Sequence, residues 1–246
     1  MLIFKSRFIR YLITLIRLIY FTKIRNNKIL KKKSRFNKDG TLERNIKSAL
    51  SFRDCYSGER SSYFLKKLNK LIKKNKRKTM KILLVGPRNE GEIFNFLSYD
   101  FKFKKINAID LFSYSKKIKV WDMHQIDKIK KKFDLIYFGF ILNYSKNINS
   151  VILKSNKLLN KNGFVGISIE YDNWISMKQK TKNFYNKRLK NEKFEKLIRI
   201  KKKHLYNNHI KKKYKKIFFY TYTESLGFNF DDKKCMSILL KKHEKI

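Results

Sequence analysis

The chain contains 246 residues, of which 42% are hydrophobic, enough to form the core of one α/β domain with appended segments. Cys55 and Cys235 lie far apart without a CxxC pattern, which argues against a disulfide framework and indicates reduced thiols of an intracellular protein. The four histidines lack metal-ligand spacing, so no metal site is predicted.

The formal net charge of +43 admits two interpretations. The chain has 50 Lys and 22 Asn but only 2 Ala and 1 Pro, the usage expected from an AT-rich genome, so the lysines would simply cover a solvated surface. The alternative is a real preference for a polyanion, namely RNA, DNA or anionic lipid. The scatter of lysines through every region favours the first interpretation and leaves the second open.

Residues 1–38 contain no acidic residue, and residues 2–21 predict a basic amphipathic helix. One side of this helix carries Ser6, Arg7, Arg10, Thr14 and Arg17, and the other side carries Phe4, Phe8, Leu12, Leu15, Ile16 and Ile19. A length of about 30 Å would suffice to cross a bilayer, but Arg10 and Arg17 would each cost about 2.5 to 3.5 kcal/mol at its centre. Three alternatives follow: residues 1–25 lie flat on an anionic membrane surface, the helix docks onto the protein's own core, or the segment is a cleaved targeting signal or a true span.

Residues 39–79 are predicted to form a helical extension, with helices over residues 41–52 and 60–75. The second helix has one apolar face and one lysine-rich face. We expect it either to pack on the domain that follows or to cover an acceptor pocket as a lid.

Residues 80–246 are predicted to form an α/β domain. Apolar runs of strand length recur at residues 81–85, 106–109, 133–140 and 164–169, with helical or loop stretches between them. This alternation indicates βαβ units and a mostly parallel sheet. A Lys-rich helical stretch is predicted over residues 173–216, followed by closing strands at residues 217–223 and 236–240 joined through Gly227.

The first of these strands runs into a turn that contains Gly86 and Pro87, the single proline of the chain, and then into the start of a helix. A glycine at a strand end lets a ligand approach the backbone, and a helix N-terminus offers free N–H groups. The next strand is followed by Asp110, a carboxylate that can accept both hydroxyls of a ribose. The alternative for Asp110 is a helix cap or a surface acid.

These motifs resemble those of the class I S-adenosylmethionine-dependent methyltransferases over residues 80–171. Residues 86–92 stand where that family has its glycine-rich first motif, and Asp110 stands at its ribose-binding acid. Residues 120–124 look like the segment in which an acid, here Asp122, meets the adenine amino group and the next residue, Met123, packs on the ring. Residues 133–139 resemble the fourth motif, and residues 158–164 resemble the turn before the fifth strand.

The resemblance implies a Rossmann-like, mostly parallel seven-stranded sheet with helices on both faces and the last strand antiparallel. It implies S-adenosylmethionine as the cofactor. The implied cofactor-binding residues are Gly86, Pro87, Arg88, Gly91, Asp110, Leu111, Asp122, Met123 and Gly139.

Departures from the family pattern concentrate in the first motif. The acid that usually precedes the first glycine is replaced by Leu84, and the glycine-rich loop reads Gly-Pro-Arg-Asn-Glu-Gly-Glu, similar to a divergent bacterial subgroup with Gly-Pro-Arg-x-Glu. Arg88 is expected either to pair with the cofactor's methionine carboxylate or to form a salt bridge with Glu90 or Glu92. Trp121 replaces the usual glycine of the adenine segment.

By resemblance the activity is SN2-like transfer of a methyl group to an O, N or C atom of an unidentified acceptor, which is a lipid-linked or envelope glycan, a small molecule or RNA. No catalytic residue is assigned. Candidates near the acceptor are Asn143, Tyr144, Glu170 and Tyr171, each with a structural hydrogen bond as the alternative role, and His124 is a candidate base or an adenine-packing residue.

The rival function is a catalytically weak or inactive methyltransferase-like binding module on membrane or RNA, and a nicotinamide dehydrogenase fits the glycine spacing badly. The expected location is the cytoplasm, with a peripheral position at the inner membrane surface as the alternative.

Overall fold

The computed structural model describes residues 2–25, 29–34, 41–50, 60–170, 205–224 and 233–243. The described strands are β1 (Leu30–Lys31), β2 (Ile82–Val85), β3 (Ile106–Asp110), β4 (Phe112–Ser113), β5 (Ile118–Val120), β6 (Phe133–Gly139), β7 (Leu159–Glu170), β8 (Tyr214–Glu224) and β9 (Lys233–Lys242). The described helices are α1 (Arg7–Ile19), α2 (Thr41–Ala49), α3 (Ser61–Leu71), α4 (Lys74–Thr79), α5 (Gly91–Ser98), α6 (Ile148–Ser155) and α7 (Asn208–Lys211).

Seven of these strands form one sheet in the order β5-β3-β2-β6-β7-β9-β8. The neighbours from β5 to β7 pair in parallel, whereas β9 is antiparallel to both β7 and β8. The predicted Rossmann-like, mostly parallel seven-stranded sheet with an antiparallel last strand is therefore confirmed. The short strands β1 and β4 form a separate antiparallel pair.

The central strand β2 is buried on both faces because helices cover the sheet from both sides. Its even-numbered residues, Ile82 and Leu84, share a core cluster with side chains of α3 and α5. Its odd-numbered residues, Leu83 and Val85, share the other cluster with side chains of α6 and α7. A run of four apolar residues in sequence thus serves two cores, as expected of a strand inside an α/β sheet.

Several predicted boundaries differ from the observed ones. The helix predicted over residues 60–75 ends at Leu71, and α4 follows as a separate helix. Strand β7 begins at Leu159, five positions before the predicted start, through pairing with Phe133. The helix predicted to reach residue 216 is wrong at its end, since Tyr214 already belongs to β8 and buries its ring, with the hydroxyl donating to Ile152 O at 3.0 Å. Residues 173–204 and Gly227 lie outside the described residues.

Helix α1 is present, and the side that faces the domain carries Arg10, Thr14 and Leu18, whereas Ser6 and Arg7 of the predicted polar side are exposed. Ser6 caps the helix by accepting from Ile9 N, and the chain continues beyond α1 as a π-helical turn, Tyr20–Ile24. Arg10 and Thr14 are buried. None of the described helices combines the length and the apolar content that crossing a membrane requires. Of the three alternatives for this segment, the structure shows the helix docked on the domain, where Leu18 and Phe21 pack against Tyr114.

Candidate active site

The carboxyl ends of three neighbouring strands bring the predicted glycines and the acid together. Gly86 follows β2, Asp110 ends β3 and Gly139 ends β6, and β2 pairs with both of the other strands. The strand order reverses its direction at β2, since β3 lies on one side and β6 on the other. In α/β sheets such a switch point, at the carboxyl ends of the strands, is where ligands bind.

The loop after β2 is held by Asp110. Gly86 has φ +77°, and Arg88, two residues later, has φ 54°. The chain therefore turns sharply here, and Arg88 N donates to Asp110 Oδ2 at 3.0 Å. Leu111 N donates to the other carboxylate oxygen at 2.6 Å. Burial raises the pKa of Asp110 to about 6, although these backbone donors oppose the shift. The predicted ribose acceptor therefore fixes the loop in this conformation.

Glu92, in the first turn of α5, is a site residue that sequence reasoning named only as a salt-bridge partner. The residue is 7% exposed, and Oε1 has no hydrogen-bond partner among the described residues. A Cβ placed on Gly139 would lie 2.7 Å from Glu92 Oε2, so the glycine makes room for the carboxyl group. Burial first, and the neighbouring Asp110 second, raise the pKa of Glu92 to about 8, while Arg88 opposes the rise.

An uncompensated buried carboxyl group is costly to keep. Its position at the switch point, beside Asp110, makes it a natural partner for a cationic ligand. The sequence carried one signal that could have pointed to Glu92. Leu84 stands where the resembling family has an acidic residue, so another nearby acid is a candidate to replace it.

Arg88 joins the two sides of the site. Its Nη2 donates to the hydroxyl of Tyr144, 3.1 Å away, at the carboxyl end of β6. Its charge also lies close enough to Asp110 and Glu92 to lower their pKa values. Glu90, the other predicted partner, instead pairs with Arg17 of α1. Tyr144, a predicted acceptor-side residue, thus lies against the first-motif loop.

The predicted adenine side is built around Asp122. Its Oδ1 accepts from His124 N at 2.8 Å and contacts His124 Nδ1 at 2.7 Å. Burial tends to raise its pKa, but the hydrogen bonds from His124 and Ser34 outweigh this and lower the pKa of Asp122 to about 2. The other ring nitrogen of His124 lies 2.9 Å from Ser145 Oγ. Asp122 therefore caps the 3-10 helix that begins at Met123 in this conformation, and His124 is fully engaged there.

Residues 29–34, here called the strap, cross the outer side of this region. Strand β1 pairs with β4, and Lys32 N donates to Leu111 O at 2.7 Å. The ammonium group of Lys32 lies 5.5 Å from the centre of the Trp121 ring and donates to Gln125 Oε1 at 3.2 Å. The strap is thereby tied to the strand ends that were predicted to bind ribose and adenine.

The cleft between these elements is closed. It is lined by Val85, Gly86, Ile109, Asp110, Leu111, Trp121, Met123 and Ile141, and it encloses a volume of about 10 Å³, room for roughly one water molecule. The side chain of Ile141 fills the space next to Gly86, since a Cβ on Gly86 would lie 2.5 Å from Ile141 Cγ1. The preceding Phe140 has φ 57°, and the guanidinium of Arg60 lies 5.0 Å from the centre of its ring. A nucleoside can reach Gly86 only if Ile141 withdraws.

Positive φ values at Arg88 and Phe140 place backbone strain on both sides of the cleft. Such strain is costly for residues that carry a side chain and clusters at sites that change conformation or bind ligands. Of the other acceptor-side candidates, Asn143 is buried next to Tyr144 in a 3-10 turn. Glu170 ends β7, and Tyr171 lies outside the described residues.

No family model matches the sequence, and no curated protein matches it significantly. Among solved structures, the N-methyltransferase NodS from Bradyrhizobium japonicum WM9, in complex with S-adenosyl-L-homocysteine, is similar with a TM-score of 0.50 and 14% identity, over 75% of this chain and 88% of that one. A Bacillus halodurans C-125 protein provisionally assigned as a methyltransferase also has a TM-score of 0.50, with 13% identity over 72% of this chain and 97% of that one. The chain thus has the fold of the class I S-adenosylmethionine-dependent methyltransferases.

Proposed function

We propose that the protein binds S-adenosylmethionine and transfers its methyl group to an acceptor. The observation that carries the proposal is the buried carboxyl group of Glu92, which has no partner at Oε1 within the described part of the chain and lies beside Asp110 and Gly139 at the switch point of a methyltransferase fold. S-adenosylmethionine carries an ammonium group and a sulfonium, and two neighbouring acids suit such a cation. NodS, which shares the fold, was solved with S-adenosyl-L-homocysteine.

The residues of the cleft match the parts of this cofactor. Asp110 offers the carboxylate for the ribose hydroxyls once it releases Arg88 N. Glu92 offers the carboxylate for the ammonium group, in place of the family's usual acid at Leu84, and Arg88 offers its guanidinium to the methionine carboxylate. Leu111 and Met123, both buried and lining the cleft, form the adenine side together with Trp121, which is half-buried.

The bound cofactor supplies an activated methyl group on its sulfonium, and the protein's task is alignment and exclusion of water. Tyr144 and Asn143 lie at the carboxyl end of β6, on the acceptor side of Arg88. They are suited to orient an acceptor by hydrogen bonds rather than to activate it. His124 is held by Asp122 and Ser145, so we assign it to the support of the adenine side and not to proton transfer.

Binding requires the cleft to open. Ile141 must leave Gly86, and the loop that contains Arg88 must release Asp110. Because only the open fraction of molecules binds, the apparent dissociation constant exceeds the intrinsic one by the reciprocal of that fraction. The strained Arg88 and Phe140 reduce the cost of leaving the closed state.

Calorimetry of the full chain with S-adenosylmethionine tests the proposal. We expect binding by the wild type and a loss of about tenfold or more in Glu92→Gln, since glutamine cannot ionise to a carboxylate opposite the cofactor's ammonium group. Asp134→Asn is the matched control, because Asp134 lies at the opposite end of β6, where its carboxylate accepts from Lys81 N and Asn160 Nδ2. Absence of binding by the folded wild type would overturn the proposal in favour of the methyltransferase-like binding module.

A further inference from the structure

A line of apolar side chains lies exposed along the N-terminal helix. Between Ile3 and Ile24 it comprises Ile3, Phe8, Leu12, Ile16, Tyr20 and Ile24, with exposed fractions of 53, 66, 40, 55, 42 and 72%. From Phe8 onward every fourth residue belongs to it, so the line follows one side of the helix for about 24 Å. We call this line the apolar ridge.

The ridge faces outward because the opposite side of α1 is tied to the domain. Arg17 pairs with Glu90, and Leu18 and Phe21 pack against Tyr114. Phe4 stacks on Phe94 of α5 with ring centroids 5.4 Å apart. These contacts fix the rotation of the helix, so the ridge does not result from an undocked segment.

Because Arg10 and Thr14 occupy part of the buried side of α1, the large side chains of the ridge remain exposed, although folding ordinarily buries such a surface. A contiguous exposed apolar surface of this kind marks a site of interaction. Within the described residues the rest of the exposed large apolar side chains, Leu30, Leu71 and Phe103, are isolated single positions. The ridge therefore has a distinct partner.

The charge around the ridge identifies the chemistry of that partner. Arg7, Lys23 and Arg25 are exposed beside it, and the first acidic residue of the chain is Asp39. The net charge of +43 repels a second copy of the chain. A surface that combines apolar depth with a negative charge is an anionic lipid membrane, whereas a nucleic acid would satisfy only the charge.

We propose that the apolar ridge docks the protein flat on an anionic membrane surface, with the ridge in the interface and the helix axis parallel to it. The buried Arg10 and the paired Arg17 stay in their contacts with the protein, so neither has to enter lipid.

Sedimentation with vesicles tests the docking. We expect the full chain to bind vesicles of phosphatidylcholine with phosphatidylglycerol, to bind pure phosphatidylcholine far less, and to dissociate as salt is raised. Phe8→Ser with Ile16→Ser should reduce the partition coefficient at least about tenfold, since two large apolar side chains leave the interface. Lys23→Glu with Arg25→Glu should reduce it to a similar extent at low salt.

Leu71→Ser is the matched control, because Leu71 is 53% exposed but lies on α3 and outside the ridge, and it should leave the partition coefficient unchanged. Calorimetry with S-adenosylmethionine on the ridge variant separates the two proposals, since docking concerns a different surface from the cofactor cleft. Equal vesicle binding by wild type and the Phe8/Ile16 variant would overturn the docking. A dimer in sedimentation velocity that the same variant abolishes, or binding to RNA without binding to vesicles, would overturn it as well.

Discussion

Arg17 of the N-terminal helix and Glu90 of the first-motif loop form a two-point ion pair, in which Arg17 Nε donates to one carboxylate oxygen and Nη2 donates to the other at 3.0 Å. Glu90 is almost completely buried, and the hydroxyl of Ser115 also donates to it. The glutamate of the Gly-Pro-Arg-Asn-Glu loop thus anchors α1, which leaves Glu92 as the acid of this loop that lies beside Asp110 and Gly139.

Removal of Arg17 should destabilise the protein more than removal of the pair. Arg17→Ala leaves the Glu90 carboxylate buried without its counter-charge, and because Arg17 is itself 37% exposed we expect a loss of about 2 to 3 kcal/mol in the free energy of unfolding. Arg17→Ala combined with Glu90→Gln should recover part of this loss in chemical denaturation. Additive losses of the two single variants would show that the pair is not coupled.

The sheet could be predicted from the sequence because its strands are apolar runs of the right length, and β2, buried on both faces, is the clearest of them. The edge that gathers Gly86, Asp110 and Gly139 followed from the order of the strands. The orientation of α1 could not be predicted, because it is set by long-range contacts: Arg17 pairs with Glu90, and Leu18 and Phe21 pack against Tyr114.

The role of Glu92 in the site could not be predicted from the sequence for a related reason. Its importance arises from the absence of a partner at Oε1 and from its approach to Gly139, 47 positions further along the chain. Neither property leaves a mark on the local sequence. The closed state of the cleft was equally unpredictable, because it results from the approach of Ile141 to Gly86, 55 positions earlier in the chain.

Asp110→Ala should weaken S-adenosylmethionine about 10- to 150-fold, because a charged acceptor of two ribose hydroxyls contributes about 1.5 to 3 kcal/mol. The comparison in calorimetry is with the wild type at the same pH, and circular dichroism checks that the sheet persists. Unchanged affinity in the folded variant would assign Asp110 to the loop alone, where it accepts from Arg88 N and Leu111 N.

Arg88→Ala should reduce affinity for S-adenosylmethionine about tenfold or more and leave affinity for adenosine, which lacks the carboxylate, within about threefold. Tyr144→Phe is the control, since it removes the hydrogen bond with Arg88 and keeps the guanidinium. Equal losses for both ligands in Arg88→Ala would mean that this residue supports the loop.

Glu92 should make the unbound protein less stable as the pH rises. Burial raises its pKa from 4.5 to about 8, so between these values the folded chain holds a proton that the unfolded chain has lost. The free energy of unfolding therefore falls through this window, by at most about 1.4 kcal/mol per pH unit for one group. Between pH 6 and 8 most of the fall belongs to Glu92, because Asp110, with a pKa of about 6, contributes mainly below pH 7.

The measurement is chemical denaturation at several pH values between 6 and 8. Glu92→Gln should flatten the profile across this range and be more stable than the wild type at pH 8, while Asp134→Asn should keep the wild-type slope. A wild-type profile that is already flat between pH 6 and 8 would contradict the buried, uncompensated state of this carboxyl group.

Shortening the side chain of Ile141 should tighten cofactor binding even though it lowers the free energy of unfolding. Ile141 lies over Gly86, where a ligand's approach to the backbone is required, and it is 6% exposed in the closed state. Ile141→Val removes one methylene from this contact, which costs about 0.5 to 1.5 kcal/mol of the closed state and leaves the open state nearly unaffected. The open fraction rises by the same factor, so S-adenosylmethionine should bind about 2- to 10-fold more tightly in calorimetry.

Ile152→Val, an equal truncation of a fully buried residue on α6 that does not line the cleft, should leave the affinity unchanged. Equal affinities for all three proteins would mean that Ile141 moves aside at no cost and that the closed cleft does not limit binding.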